Sequence, residues 1–140
     1  MYPEILVIPM REELTCLGVE ELKTAADVDR ELAAQQGTAM VIVNSICGCA
    51  AGRMRPAIRT ALQNRSKPDR LFTVFAGQDA EATDRARSYF TGYRPSSPSI
   101  ALFRDGQLVH MLQRSDIEHR DPAEIAAELR KLFDQHCGKN

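Results

Sequence analysis

The chain has no Trp, and aromatic residues make up only 6% of it. Neither sign of charge predominates: 18 Lys and Arg stand against 19 Asp and Glu, for a formal net charge of −1. That balance argues against a dedicated nucleic-acid binder and against a polybasic membrane-surface protein. No long apolar run is present. The longest, at 39–43, falls far short of the roughly 20 residues that cross a bilayer as a helix. Met1-Tyr2-Pro3-Glu4 shows no basic segment followed by an apolar stretch, so no secretory signal is read there. The chain has no repeat, no low-complexity segment and no Gly/Ser-rich linker. These absences predict a cytoplasmic protein with neither nucleic acid nor membrane as partner. What remains, 44% hydrophobic and 26% charged residues in a chain of 140, is the composition of one soluble globular domain spanning 1–140. A chain of this length buries roughly two-thirds of its unfolded surface, so it needs no disulfide scaffold.

Periodicity then supplies the elements. From Glu12 to Ala34 the apolar spacing is helical, interrupted at Gly18, with Thr24 placed to cap a second helix and Gly37 to stop it. Ala39-Met40-Val41-Ile42-Val43-Asn44 is apolar on both faces, the pattern of a buried central strand. Ala50, Ala51, Met54, Ala57, Ile58, Ala61 and Leu62 recur at helical spacing, and Pro56 is expected to bend that helix. A second buried strand is expected at 71–76, a turn at Gly77-Gln78-Asp79, a helix at 80–90 and a loop at 94–99. Ile100-Ala101-Leu102-Phe103 and Gln107-Leu108-Val109-His110-Met111 flank Asp105-Gly106, a hairpin signature. A last helix starts at Asp121-Pro122 and carries Ile125, Ala126, Leu129, Leu132 and Phe133 on one stripe. Strand–helix–strand implies a parallel pair with a right-handed crossover, and the hairpin adds antiparallel strands. The prediction is an α/β, thioredoxin-like three-layer fold: a central mixed β-sheet with helices on both faces.

The four cysteines are Cys16, Cys47, Cys49 and Cys137. In a reducing compartment they are not expected to form structural disulfides. Cys47 and Cys49 fall where the 39–44 strand meets the next helix. Free backbone N–H groups at a helix start stabilise a thiolate over a thiol and so raise cysteine reactivity. Arg53 and Arg55 follow closely and would add positive potential. Gly48 would let the chain turn tightly between the sulfurs. A second thiol one residue away can attack a mixed disulfide formed on the first, and a disulfide across so short a loop is expected to be strained and easily reduced. This chemistry needs neither metal nor organic cofactor.

Other readings stay open. The two cysteines could be small hydrophobes at a packed corner. They could hold a soft ion such as Cu(I) as a metallochaperone module. A zinc site would need two further ligands from His110, His119, His136 or Cys137, none of which forms a second paired motif. An adaptor without chemistry would leave the Cys47 thiol unshifted.

Outside the cysteine pair, Ser96-Ser97-Pro98-Ser99 precedes the hairpin. A cis Ser97–Pro98 bond would present the Ser97 backbone to a substrate segment, whereas a trans bond would make an ordinary loop. The Arg- and Lys-rich stretch from Arg53 to Arg70 reads as a solvated helix face, although Arg53 or Arg55 could pair with a carboxylate on a small thiol. Cys16 is expected at least half-buried on the first helix, and Cys137 accessible at a frayed end.

Val43-Asn44-Ser45-Ile46-Cys47-Gly48-Cys49-Ala50-Ala51-Gly52, continuing to Arg55-Pro56, resembles the bacilliredoxin family, thioredoxin-like proteins with a Cys-Gly-Cys site. The resemblance extends through Val7-Ile8-Pro9-Met10-Arg11, Val74-Phe75-Ala76-Gly77-Gln78-Asp79, Tyr89-Phe90-Thr91-Gly92, Ser96-Ser97-Pro98-Ser99 and Cys137. It departs at Cys16, where the family pattern has a non-thiol residue. The resemblance implies removal of bacillithiol from S-thiolated cytoplasmic client proteins, with bacillithiol as reductant, and a link to disulfide-isomerase activity. It makes Cys47 the attacking thiol and Cys49 the resolving thiol. Gly48, Arg55, Ser97 and Pro98 are the expected substrate-binding residues.

Overall fold

The computed structural model describes residues 1–33 and 36–138. Five strands form one mixed sheet: β1 (Glu20–Glu21), β2 (Thr38–Asn44), β3 (Arg70–Phe75), β4 (Ser99–Arg104) and β5 (Gln107–Leu112). Their order is β1-β3-β2-β4-β5. β3 runs parallel to both β1 and β2, whereas β2–β4 and β4–β5 are antiparallel. The helices are α1 (Glu4–Thr15), α2 (Ala25–Leu32), α3 (Arg55–Ala61), α4 (Ala80–Arg87), α5 (Arg114–Ile117) and α6 (Pro122–His136).

Every residue of β2 is buried. Successive side chains point to opposite faces of a sheet, and the core divides accordingly. Met40 and Ile42 meet Ile58, Leu129 and Phe133 of α3 and α6 on one face. Ala39, Val41 and Val43 meet Val28, Leu32, Ala82 and Ala86 of α2 and α4 on the other. The expected three-layer α/β architecture is the one observed.

Several local expectations hold. Thr24 accepts the Asp27 N–H at 3.0 Å, a cap bond worth about 1 kcal/mol. Asp105 and Gly106 have φ of 51° and 82°, as a primed hairpin turn requires. Asp121 and Glu124 close a capping box around Pro122.

Other elements differ. The first helix begins at Glu4 rather than Glu12, with Pro9 inside it. β1 was not expected, and neither was the short α5. The expected end of the second helix at Ala34 lies outside the described residues. Gly37 belongs to the turn entering β2: its φ is +76°, and a Cβ there would collide with Asp69 Oδ2. The helix after Cys49 is not one α-helix with Pro56 in its interior. A π-turn over Ala50–Met54 precedes α3, and the Arg55 N–H reaches back to the Ala50 carbonyl. Pro56 then falls in the first turn of α3, where its missing N–H is not needed.

Candidate active site

β2 ends at Asn44, and three residues later the chain reaches Cys47. The Cys47 carbonyl accepts the N–H groups of Ala50 at 3.0 Å and Ala51 at 3.2 Å, so Cys47 caps the helical segment that leads into α3. Its Sγ accepts the Cys49 backbone N–H at 3.3 Å. Both cysteines are half-buried free thiols, and Cys49 packs against the α3–α6 side of the core.

The two thiols are electrostatically unequal. Burial pushes the Cys47 thiol up, but the Cys49 backbone N–H, the Cys49 thiol, the Arg114 charge and the Ala50 N–H together pull it below the ordinary thiol range. Burial raises Cys49, and the Cys47 sulfur, as hydrogen-bond acceptor and as negative charge, raises it further. One thiol is thus poised as nucleophile while its neighbour keeps its proton and stabilises it. Alkylation of the reduced protein with iodoacetamide is expected to modify Cys47 with a midpoint on the acid side of an ordinary thiol, and Cys49 on the alkaline side. Peptide-level mass spectrometry across the neutral-to-alkaline range checks the order, and Cys49 reacting first would contradict it.

Beneath the cysteine loop lies a buried polar network. Asn44, Ser45 and Arg55 are 1%, 6% and 3% exposed. Asn44 Oδ1 accepts from the Ser45 N–H at 2.9 Å and from Arg55 Nη1 at 2.9 Å. Asn44 Nδ2 donates to the Met10 carbonyl at 3.2 Å. Arg55 also donates to the Ser45 carbonyl at 3.0 Å and to Glu13 Oε1 at 2.8 Å. Ser45 Oγ accepts the Cys47 N–H at 2.9 Å. These bonds tie α1, β2 and α3 together under the reactive sulfur.

Arg55 is therefore enclosed, with its guanidinium occupied by protein groups. The expected encounter with a substrate carboxylate is replaced by a positioning role. Nor is the Arg53–Arg70 stretch uniformly a solvated face, because Arg55 is inside and Arg53 Nη1 donates to the Arg120 carbonyl at 2.6 Å. The arginine whose charge acts on both thiols is Arg114.

The 94–99 loop meets this corner from the neighbouring strand. Val43 pairs with Ser99, so Asn44 and Pro98 leave the same edge of the sheet. The Ser97–Pro98 peptide is cis. Pro98 is buried and Ser97 half-buried. Arg87 Nη2 donates to the Ser96 carbonyl at 3.3 Å, and Arg114 Nη1 donates to the Ser97 carbonyl at 3.2 Å. Gly48 is exposed, its backbone is not left-handed, and a Cβ there would meet nothing within 4 Å. The tight turn expected of Gly48 therefore does not require a glycine there.

A family model described as "Disulphide isomerase" matches residues 2–137. A bacilliredoxin of Koribacter versatilis (strain Ellin345) is 64% identical over 99% of this chain and 95% of its own length. A bacilliredoxin of Staphylococcus aureus (strain NCTC 8325 / PS 47) is 50% identical over 98% of this chain and 94% of its own. The chain belongs to the bacilliredoxin family. It is thus a member of a family of thiol–disulfide oxidoreductases. Solved structures show the thioredoxin fold for it. Malassezia sympodialis thioredoxin matches with a TM-score of 0.58 at 15% identity, covering 86% of this chain and 91% of that one. Fasciola hepatica thioredoxin matches with a TM-score of 0.55 at 18% identity, covering 84% and 99%.

The remaining two cysteines lie apart from the Cys-Gly-Cys corner. Cys16, expected at least half-buried, is exposed, because α1 ends one residue before it. Cys137, expected to be accessible, is half-buried. It lines a cavity of about 430 Å³ with Thr38, Asp69, Arg104 and His136. Thr38 begins β2 and Cys47 follows its end, a separation of roughly 20 Å along the strand. Burial raises the Cys137 thiol above its ordinary range. His110 pairs with Glu128 at 3.3 Å, and His119 is 83% exposed. Among the described residues no three His, Cys, Asp or Glu side chains converge as metal ligands, so Cys47 and Cys49 stand as a pair. No helix among those residues is long and apolar enough to cross a membrane.

Asn44, Ser45 and Arg114 carried no role in the sequence reading. Asn44 and Ser45 precede the Cys-Gly-Cys motif with only Ile46 between, and a polar pair directly after the apolar 39–43 run was the available signal. Arg114 had none, since it lies 67 residues beyond Cys47.

Proposed function

We propose that this chain removes a small thiol, bacillithiol or a similar one, from S-thiolated cytoplasmic proteins. The observation that carries the reading is the Cys47 sulfur at a helix start, holding the Cys49 N–H and drawn to the thiolate beside a thiol that is not. Cys47 Sγ attacks the small-thiol sulfur of the mixed disulfide. The bond between that sulfur and the client breaks, and the client leaves as a thiolate that takes a proton from solvent. Cys47 now carries the small thiol and no negative charge. Two of the causes that raised Cys49 vanish with that charge, so Cys49 ionises more readily at the moment it is needed. Its thiolate attacks Cys47 Sγ and expels the small thiol, leaving a Cys47–Cys49 disulfide. Two further small thiols reduce that disulfide and become oxidised to their own disulfide. Alternatively, one free small thiol attacks the small-thiol sulfur on Cys47 directly.

Ser97 and Pro98 border the path along which the client backbone approaches, and Gly48 leaves room for it. Isomerisation of client disulfides would use the same first attack, and the description of the matching family model supports it.

The test is mass spectrometry of the Cys49→Ser variant mixed with a bacillithiolated test protein. The expected result is a bacillithiol adduct on Cys47 and a freed test protein. An adduct with glutathione but not with bacillithiol would keep the mechanism and change the substrate. No adduct with either would overturn the reading.

A further inference from the structure

Arg114 opens α5 immediately beyond β5, yet three bonds fold it back over the active-site corner. Its backbone N–H donates to Ser96 Oγ at 3.4 Å, its Nη1 to the Ser97 carbonyl at 3.2 Å, and its Nε to Glu118 Oε2 at 3.3 Å. Among the described residues these bonds do not use Nη2, and the side chain is 45% exposed. Arg53 and Arg55 lie far closer to Cys49 in sequence, but Arg53 is bonded to the Arg120 carbonyl and the Arg55 side chain is 2% exposed. Arg114 is thus a cation fixed between the cis-proline loop and the sulfurs, with part of its donor fork facing solvent.

We propose that Arg114 is a specificity-determining residue: its guanidinium receives a carboxylate of the small thiol during exchange. The inference rests on the thiol-transfer reading above and names the charge of the substrate that the site prefers. A guanidinium presents parallel donors that match a carboxylate. Glu118 is its bonded partner, and the negative charge of the Cys47 thiolate acts on it as well. Once Cys47 has formed the mixed disulfide that negative charge is gone. A carboxylate on the newly attached small thiol then replaces it, within reach of the same cation. A neutral or cationic thiol offers no such replacement, so the intermediate is selectively stabilised when the thiol is anionic.

The experiment uses one test protein carrying 3-mercaptopropionate, 2-mercaptoethanol or cysteamine as its mixed disulfide. The three adducts have similar size and carry negative, zero and positive charge. Release of the test-protein thiol is followed for the wild type, Arg114→Gln and Arg114→Lys. Each is assayed above its own Cys47 alkylation midpoint, so that a shifted thiol does not enter the comparison. Each adduct is compared only with itself across variants. Arg114→Gln is expected to slow the 3-mercaptopropionate reaction about tenfold, as loss of a half-exposed charge-assisted bond implies. It should change the 2-mercaptoethanol reaction less than about twofold and leave cysteamine no slower. Arg114→Lys should recover most of the anionic preference. Equal slowing of all three adducts, or none, would overturn the proposal while leaving the transfer reaction standing. A wild type that releases no thiol from any of the three adducts would overturn the underlying reading as well.

Discussion

Replacing Cys47 with Ser is expected to lower thiol transfer by at least about a thousandfold, because on the proposed mechanism the group removed is the one that forms the covalent intermediate. A serine hydroxyl does not ionise near neutral pH, and among the described residues the hydrogen bond accepted by the Cys47 sulfur at 3.3 Å comes from a backbone N–H and not from a carboxylate or imidazole. The bonds that favour a thiolate at this place do too little to activate an alcohol. The fold should be indifferent to the change. Cys47 is half-exposed, and the Cys49 N–H that donates to its sulfur at 3.3 Å finds an oxygen acceptor instead. Initial rates of thiol release from an S-thiolated test protein, set beside thermal melts of both proteins, check the two halves of this expectation. Activity equal to the wild type would refute the assignment of the nucleophile. Cys49→Ser is the informative contrast, because it leaves the first attack intact and stops the chemistry at the mixed disulfide.

The second large effect is on stability and lies in α1. Replacing Arg11 with Ala should cost about 3–5 kcal/mol, the range seen when one partner of a buried ion pair is removed. The Arg11 side chain is only 7% exposed and meets three carboxylates: Glu4 at 2.7 Å, Glu21 at 2.9 Å and Asp79 at 2.7 Å. Its guanidinium also lies 5.2 Å from the centre of the Phe75 ring. Without it, Asp79 and Glu21, with side chains 15% and 21% exposed, repel each other in a region of poor solvation. A loss of that size should lower the melting temperature by roughly 10 °C or more.

The pH dependence has a definite sign. The hydrogen bond from Arg11, followed by that from Gln78, holds the Glu4 carboxyl below its ordinary value. Its stabilising contribution is therefore present above the unfolded-state value of about 4.3 and is lost as pH falls through the lower folded-state value. The gap between wild type and Arg11→Ala should narrow as the medium is acidified through that range. Chemical denaturation at neutral and acid pH measures it. A cost below about 1 kcal/mol at neutral pH would mean that solvent screens the cluster as it screens surface pairs.

Arg11 also shows where local reading of this chain stops. The β2 run declares itself because Ala39–Val43 is unbroken apolar sequence, the pattern of a strand covered on both faces. The hairpin declares itself through Asp105-Gly106, and α6 through Asp121-Pro122, because turn and cap chemistry act within a few residues. Cys47 and Cys49 are legible for the same reason: their spacing and their place between a strand and a helix are local facts. β1, by contrast, is two residues long and becomes a strand only because β3 lies beside it. The π-turn at Ala50–Met54 follows from fitting Pro56 into a helix that must stay packed on α6. Periodicity alone shows the helix continuing and not how the ladder is adjusted.

For the site, the cysteine pair, its place at a helix start and the proline loop before the hairpin were all legible from local sequence. The sequence did not determine which charges act there. Arg53 and Arg55 are near in sequence yet spent, one on the Arg120 carbonyl and one in the buried Asn44–Ser45–Glu13 network. Arg114 is distant in sequence and acts on both thiols. Coulombic interaction and solvation depend on distance through space and on burial. Both arise only when β5 and α5 bring Arg114 back over the Cys47 corner.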